Sequence, residues 1–385
     1  MNQKKIQSTL TLTLVVIALF SFFSFRVLVS GAATPWLSKA QIIQNMIDLC
    51  NSHGGIASYA SIGKTVLGND IWLFRVGNNA EAKFLVDGAT HGMELPGAHN
   101  VYFLLQWLLG GSAEANVVLS RMQVLLVPLV NYDRAIDPDH AVDSDRKNAH
   151  GVDINRNHIR GWSAVSDPNS LYYSGPYAAS EPETQVINAL FISENPKVYV
   201  TIHDWGGAQA TNGSFLPPTY GNSNYTTACS NLLAAYRAKV QSLYGLAGHV
   251  TQAAGAYGGS RDDGYNDGAT LSYLWEETQS WTATPETVNY DVIRDNKALH
   301  LRAFTMAVAD SYGANPAYWS PCDINHDLKI DIRDVSVVVR AFGTVPGDPL
   351  WNPDADITGI FPLVPDGMID IKDVSLVAKH FGEHL

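Results

Sequence analysis

The chain has 385 residues, 46% of them hydrophobic, with 37 Asp and Glu against 25 Lys and Arg and a formal net charge of −12. That length and composition allow two domains and a large buried core. The acidic balance excludes recognition of nucleic acid or of an anionic membrane surface through a basic patch; three cysteines, Cys50, Cys229 and Cys322, are too few and too odd in number for a disulfide-stapled scaffold.

The first element is a targeting segment. Lys4 and Lys5 precede an apolar run over residues 10–25, and Ser30, Gly31 and Ala32 offer small residues for cleavage. This layout is that of a secretory signal peptide over residues 1–32. The run is shorter than the ~20 residues a membrane span needs, and no later segment is long and apolar enough to cross a bilayer. The chain is therefore expected to be secreted, with no stable membrane span after cleavage.

Residues 34–313 read as an α/β domain, because apolar strand-like runs alternate with helical patterns. Strands are predicted over 82–86, 124–130, 198–202 and 271–275, and helices over 231–243 and 291–309, where apolar residues recur at three- and four-residue spacing. The chemically capable residues fall just past the strands. His91 and Glu94 follow the first in Thr-His-Gly-Met-Glu-Leu, His203 follows the third, and Glu276 ends the fourth. In open α/β sheets the ligand crevice lies at those carboxyl ends. Two imidazoles and one carboxylate leave a coordination position open, which is the layout of a hydrolytic zinc site and not of a structural one.

Between these groups lies Gly151-Val-Asp-Ile-Asn-Arg-Asn157, preceded by Arg146 and followed at a distance by Gly258-Gly-Ser260. The ordered set resembles the zinc carboxypeptidases of the carboxypeptidase A type, over most of the first domain. The resemblance implies a mixed twisted sheet flanked by helices, one catalytic zinc held by His91, Glu94 and His203, and peptide or protein C-termini as substrates. By the same resemblance Asn155 and Arg156 bind the terminal carboxylate, Arg146 faces the scissile carbonyl, and Glu276 is the general base. Glu277 is its competitor, since adjacent strand residues point to opposite faces. The planar guanidinium suits the carboxylate role through paired hydrogen bonds.

Two positions depart from the family pattern. Where the family has a substrate-capping tyrosine the chain has Ala254, and nearby Tyr257 is the candidate replacement; Tyr265 matches a structural tyrosine. Arg261 follows Gly-Gly-Ser at the base of the side-chain pocket, which suggests a preference for C-terminal Glu or Asp; the alternative is that Arg261 pairs with Asp262, Asp263 or Asp267. No large inhibitory pro-segment is expected between Ala32 and His91. Two other readings of the domain are a zinc amidase of the related acylase branch, and an inactive peptide-binding component.

Residues 314–321 read as a linker, and the composition then changes. The tail, 322–385, repeats itself: Asp331 to Gly343 and Asp370 to Gly382 agree at eight of thirteen positions. A unit this short cannot bury a core alone, so the two copies are expected to pack on each other. Asp323, Asn325, Asp327, Asp331 and Asp334 stand at positions 1, 3, 5, 9 and 12 of a calcium loop, with the carbonyl of Lys329 at 7. The second copy offers Asp354, Asp356, Asp366, Met368, Asp370 and Asp373, with about eight inserted residues between its early and late ligands. The paired loops and the following Phe-Gly helices resemble a dockerin, which implies a small α-helical module, one or two structural Ca2+ ions, a cohesin-type protein partner and attachment at a cell surface.

Overall fold

The structure, a computed structural model, describes residues 36–78, 82–136, 143–203, 214–218, 223–251, 258–265, 270–276, 290–313, 324, 330–352, 355–357, 367–379 and 381. The expected signal peptide, residues 1–32, the expected linker 314–321, Tyr257, Asp267 and Glu277 lie outside these residues, as do Asp323, Asn325, Asp327, Lys329, Asp354 and Asp366.

Eight strands form one sheet: β1 (Ala57–Lys64), β2 (Asp70–Val76), β3 (Lys83–Gly88), β4 (Gln123–Val127), β5 (Val198–His203), β6 (Ser214–Leu216), β7 (Val250–Thr251) and β8 (Leu271–Glu276). Their order is β1-β2-β4-β3-β5-β8-β6-β7. The centre, β4-β3-β5-β8, is parallel, while β1 with β2, β2 with β4 and β6 with β8 are antiparallel. The sheet is thus mixed, as the resemblance implied. The central strands are apolar on both faces, as a sheet covered on both sides requires. One correction concerns β4, which stops at Val127 instead of running to residue 130.

Period-two alternation splits these strands between two cores. Phe84, Val86, Val200, Ile202, Tyr273 and Trp275 face the larger one. It is closed by α1 (Lys39–Ser52), α2 (Leu95–Leu109), α3 (Ala113–Arg121), α5 (Ser223–Tyr244) and α7 (Tyr290–Tyr312). Leu85, Leu125, Val127 and Tyr199 face the smaller core, closed by Ile187, Leu190 and Phe191 of α4 (Pro182–Glu194). The short α6 (Ser260–Gly264) follows the Gly-Gly turn. Cys50 and Cys229 are buried and free.

In the tail, α8 (Ile332–Ala341) and α9 (Ile371–Lys379) enclose a core of their own, formed by Ile324, Ile330, Val338, Ala341, Ala355, Ile357, Ile369 and Val377. The copies meet where Gly343 N–H donates to Ile369 O and Ile369 N–H donates to Thr344 O, at 2.8 and 3.2 Å. Asp331 and Asp334 form the capping box of α8. In the second copy Asp373 accepts the backbone N–H of Asp370 and of Ile357, at 2.7 and 2.9 Å. Among the described residues no helix is long and apolar enough to cross a membrane.

Candidate metal centre

Three strand ends on one edge of the sheet deliver the candidate ligands. β3 leads into His91 and Glu94, β5 ends on His203, and β8 ends on Glu276, which is in register with His203. Paired residues of parallel strands present their side chains to the same face, so His203 and Glu276 share one side. Trp275 is turned to the other, where its indole N–H donates to His249 Nδ1 at 2.8 Å.

The ligand atoms of His91, Glu94 and His203 all lie within 4.8 Å of one another, and all three residues are buried. Each oxygen of Glu94 is 2.8 Å from an imidazole nitrogen, Oε1 from His91 Nδ1 and Oε2 from His203 Nδ1. The two Nδ1 atoms are 3.2 Å apart. Two ring nitrogens and a carboxylate aimed at one dry point fit a divalent cation that accepts N and O donors. Burial opposes ionisation of Glu94, yet the two imidazoles outweigh it and hold the carboxyl well below its ordinary range.

The outward ring nitrogens are also held. His91 Nε2 is 3.2 Å from Asp153 Oδ1, and Asp153 in turn accepts from Arg146 Nε and Nη2 at 3.0 and 2.9 Å. His203 Nε2 is 3.3 Å from Thr201 Oγ1, two residues back on the same face of β5. Thr201 bonds Asp87, a fully buried carboxyl that burial pushes up to about 6 against its bonds to Tyr199 and Thr201. On the other face of the sheet, Lys297 Nζ donates to the backbone carbonyl of His203 at 2.9 Å. Such outer partners set the tautomer and aim of metal-binding imidazoles. Asp153, Thr201, Asp87 and Lys297 were not assigned from sequence. Asp153 stood inside the Gly-Val-Asp motif, and Thr201 is recognisable by its i, i+2 spacing to His203; Lys297 carries no sequence signal.

Arg146 and Arg156 each close a short 3-10 turn, Asp143–Arg146 and Ile154–Arg156. Asn155 is 4% exposed, and its side-chain oxygen has no hydrogen-bond partner among the described residues. Arg156 Nη1 donates to Asn155 O at 2.7 Å, and no described carboxylate forms an ion pair with its guanidinium. Burial depresses the pKa of Arg156, and the nearby charges of Arg146 and Arg261 add to that, against Asp153. Three guanidiniums therefore gather beside the ligand cluster. Gly258 has φ +81°, a conformation glycine adopts without a Cβ penalty, and a Cβ on Gly259 would lie 2.2 Å from Asn155 Oδ1. The Gly-Gly turn thus closes directly over Asn155.

Arg261 is buried and paired with its neighbour: its Nη2 is 3.1 Å from Asp262 Oδ1. Of the partners open in the sequence, Asp262 is thus one that Arg261 pairs with among the described residues; Asp267 lies outside them. Tyr265 is buried against Tyr225 at 4.7 Å, a packing position.

The chain is similar to known proteins in sequence and in fold. Carboxypeptidase B of Bos taurus is 26% identical over 66% of this chain and 66% of its own length. Carboxypeptidase B of Astacus astacus is 24% identical over 56% of this chain and 76% of its own length. The chain thus spans about two-thirds of the bovine relative. The crystal structure of carboxypeptidase A from Helicoverpa armigera superposes with a TM-score of 0.60 at 18% identity, covering 71% of this chain and 73% of that one, which is a likeness of fold. The family described as Zinc carboxypeptidase matches residues 42–308. That match takes in more than half of the chain and every group gathered at the carboxyl edge of the sheet, so the chain belongs to the zinc carboxypeptidase family.

Proposed function

We propose that the protein is a metallocarboxypeptidase, a hydrolase that releases the C-terminal residue of peptides and proteins with zinc as its catalytic cofactor. The observation that carries this reading is the convergence of His91, Glu94 and His203 beside Arg156, a partly buried guanidinium with no carboxylate partner among the described residues. Zinc, when bound, supplies a Lewis acid that activates water near neutral pH.

The remaining chemistry falls to side chains. Asn155 and Arg156 receive the free carboxylate of the substrate, and charged hydrogen bonds of this kind are each worth about 1.5–3 kcal/mol. An internal residue has no such carboxylate, so endopeptidase action is disfavoured. Glu276 takes a proton from water and delivers it to the leaving amine. Its register with His203 supports this role, while its competitor Glu277 lies outside the described residues. Arg146, fixed by Asp153, stabilises the negative charge that develops on the scissile carbonyl oxygen. Preference for a C-terminal Glu or Asp is supported by the buried guanidinium of Arg261 close to Arg156; Asp262 competes for it. The signal peptide directs the protein out of the cell, and the tail binds calcium and docks it to a cohesin-type partner.

Purified protein should hold one zinc per chain and hydrolyse a blocked dipeptide but not its amide. Glu276→Gln should lower kcat about 10²–10⁴-fold with zinc retained, while Glu277→Gln stays near wild type. Absence of stoichiometric zinc, or equal hydrolysis of acid and amide, overturns the assignment. Faster cleavage of an N-acyl amino acid than of any dipeptide points to the amidase instead, and C-terminal Glu released no faster than Phe or Lys removes the acidic preference.

A further inference from the structure

Tyr172 lies against both substrate-facing arginines. Its ring centroid is 5.3 Å from the guanidinium carbon of Arg146 and 5.5 Å from that of Arg156. Both distances are within the range where a cation is attracted by the electron-rich face of an aromatic ring. The tyrosine is 45% exposed, so it is not there to fill a core.

The loop that carries it is nevertheless firmly placed. Asp153 N–H donates to Tyr173 O at 2.8 Å. Lys147 Nζ, next to Arg146, donates to Pro168 O and Ser170 O at 2.9 and 3.1 Å. Asn157 Nδ2, next to Arg156, donates to Ser174 O at 2.8 Å. The residues that flank the two arginines, and the aspartate that orients Arg146, therefore also fix the ring that touches both. An exposed aromatic side chain on a loop tied down in this way is an architectural part of the site.

We propose that Tyr172 is a substrate-positioning residue, which holds the guanidiniums of Arg146 and Arg156 at the spacing that spans a C-terminal residue from its free carboxylate to the scissile carbonyl. The inference rests on the carboxypeptidase reading and on the roles given there to the two arginines. Arginine has wide rotamer freedom, and two nearby like charges repel; a shared aromatic ring offsets both effects without neutralising either charge, as a carboxylate would. Arg156 thereby stays ordered and cationic, ready for an anionic ligand.

Steady-state kinetics on zinc-loaded full-length protein, with a blocked dipeptide, tests this. Tyr172→Leu should raise KM about fivefold, the size expected of a surface cation–π contact, with kcat within about twofold and zinc content unchanged. Tyr172→Phe keeps the ring and should stay within about twofold of wild type in both parameters. L-Phenylalanine and L-glutamate, titrated as products, should bind the Leu variant correspondingly more weakly. A wild-type KM in Tyr172→Leu, a loss in Tyr172→Phe equal to that in Leu, or a fall in kcat accompanied by zinc loss each overturns the assignment. If the wild-type protein neither cleaves the dipeptide nor binds a free amino acid, the carboxypeptidase reading falls and takes this inference with it; if wild type does both and Leu matches it, Tyr172 alone is misassigned.

Discussion

A buried cation behind the sheet has a consequence at the metal centre. Lys297 is fully buried on α7, with its Nζ 2.9 Å from His203 O and 5.6 Å from the centroid of the Trp275 ring. Taking an ammonium out of water costs several kcal/mol, and a charge-assisted bond to the last carbonyl of β5 offsets part of that. The same side chain touches the ends of two adjacent strands, one carrying a candidate ligand and the other the candidate base. Lys297→Met keeps the length of the stem and removes the bond. Zinc affinity should then fall about tenfold, as measured by competition with a chelator, in line with other outer partners of metal ligands. An unaltered affinity in the folded variant refutes the clamp.

At the scale of elements, the four central strands were legible because each is a short apolar run bounded by breakers. β1 was not: Ala57–Lys64 reads Ala-Ser-Tyr-Ala-Ser-Ile-Gly-Lys, and only Ala57 is buried. A strand at the edge of a sheet is defined by the partner it pairs with, here β2, and not by its own periodicity. β4 ends early because the chain leaves the ladder after Val127, although Leu129 and Val130 remain buried. In the tail the repeat announced two equivalent helices, and α8 and α9 each start from an aspartate that caps the helix, Asp331 accepting from Arg333 N–H and Asp370 from Lys372 N–H, both at 2.7 Å. If the acidic loops before them bind calcium, calorimetric titration of the full chain should show one or two sites, one weakened by Asp334→Asn and the other by Asp373→Asn. No heat up to ~10 mM calcium, an order of magnitude above the weakest usual loops, sinks the calcium assignment.

For the molecule as a whole, acid is the expected weakness. His249 and His300 stack at 4.1 Å within the larger core region. Burial, then the charges of His300 and Lys297, push His249 down to about 2; burial and then Lys297 push His300 down to about 4. In the unfolded chain both titrate near ~6.5. The unfolded state therefore binds more protons below that value, and stability is full above pH ~6.5 and falls as the pH drops towards about 4, where His300 begins to protonate in place. The slope is at most about 1.4 kcal/mol per pH unit for each ring. Urea unfolding at pH 7 and pH 5 should show this loss, and His300→Gln should make the profile shallower; identical profiles for the two proteins disprove the linkage. What the sequence determined by itself was the class of fold, the family, the repeat in the tail and the identity of His91, Glu94, His203, Asn155 and Arg156 as candidates, because these are carried by short-range patterns and by motif order. Only the tertiary structure decided which side chains support them. Asp153 on His91, Thr201 and Asp87 behind His203, Lys297 beneath it, Asp262 on Arg261 and Tyr172 across two arginines are contacts between segments far apart in the chain or between rotamers of neighbours. Such contacts exist only once the sheet has brought its carboxyl edges together and burial has made every unpaired charge costly.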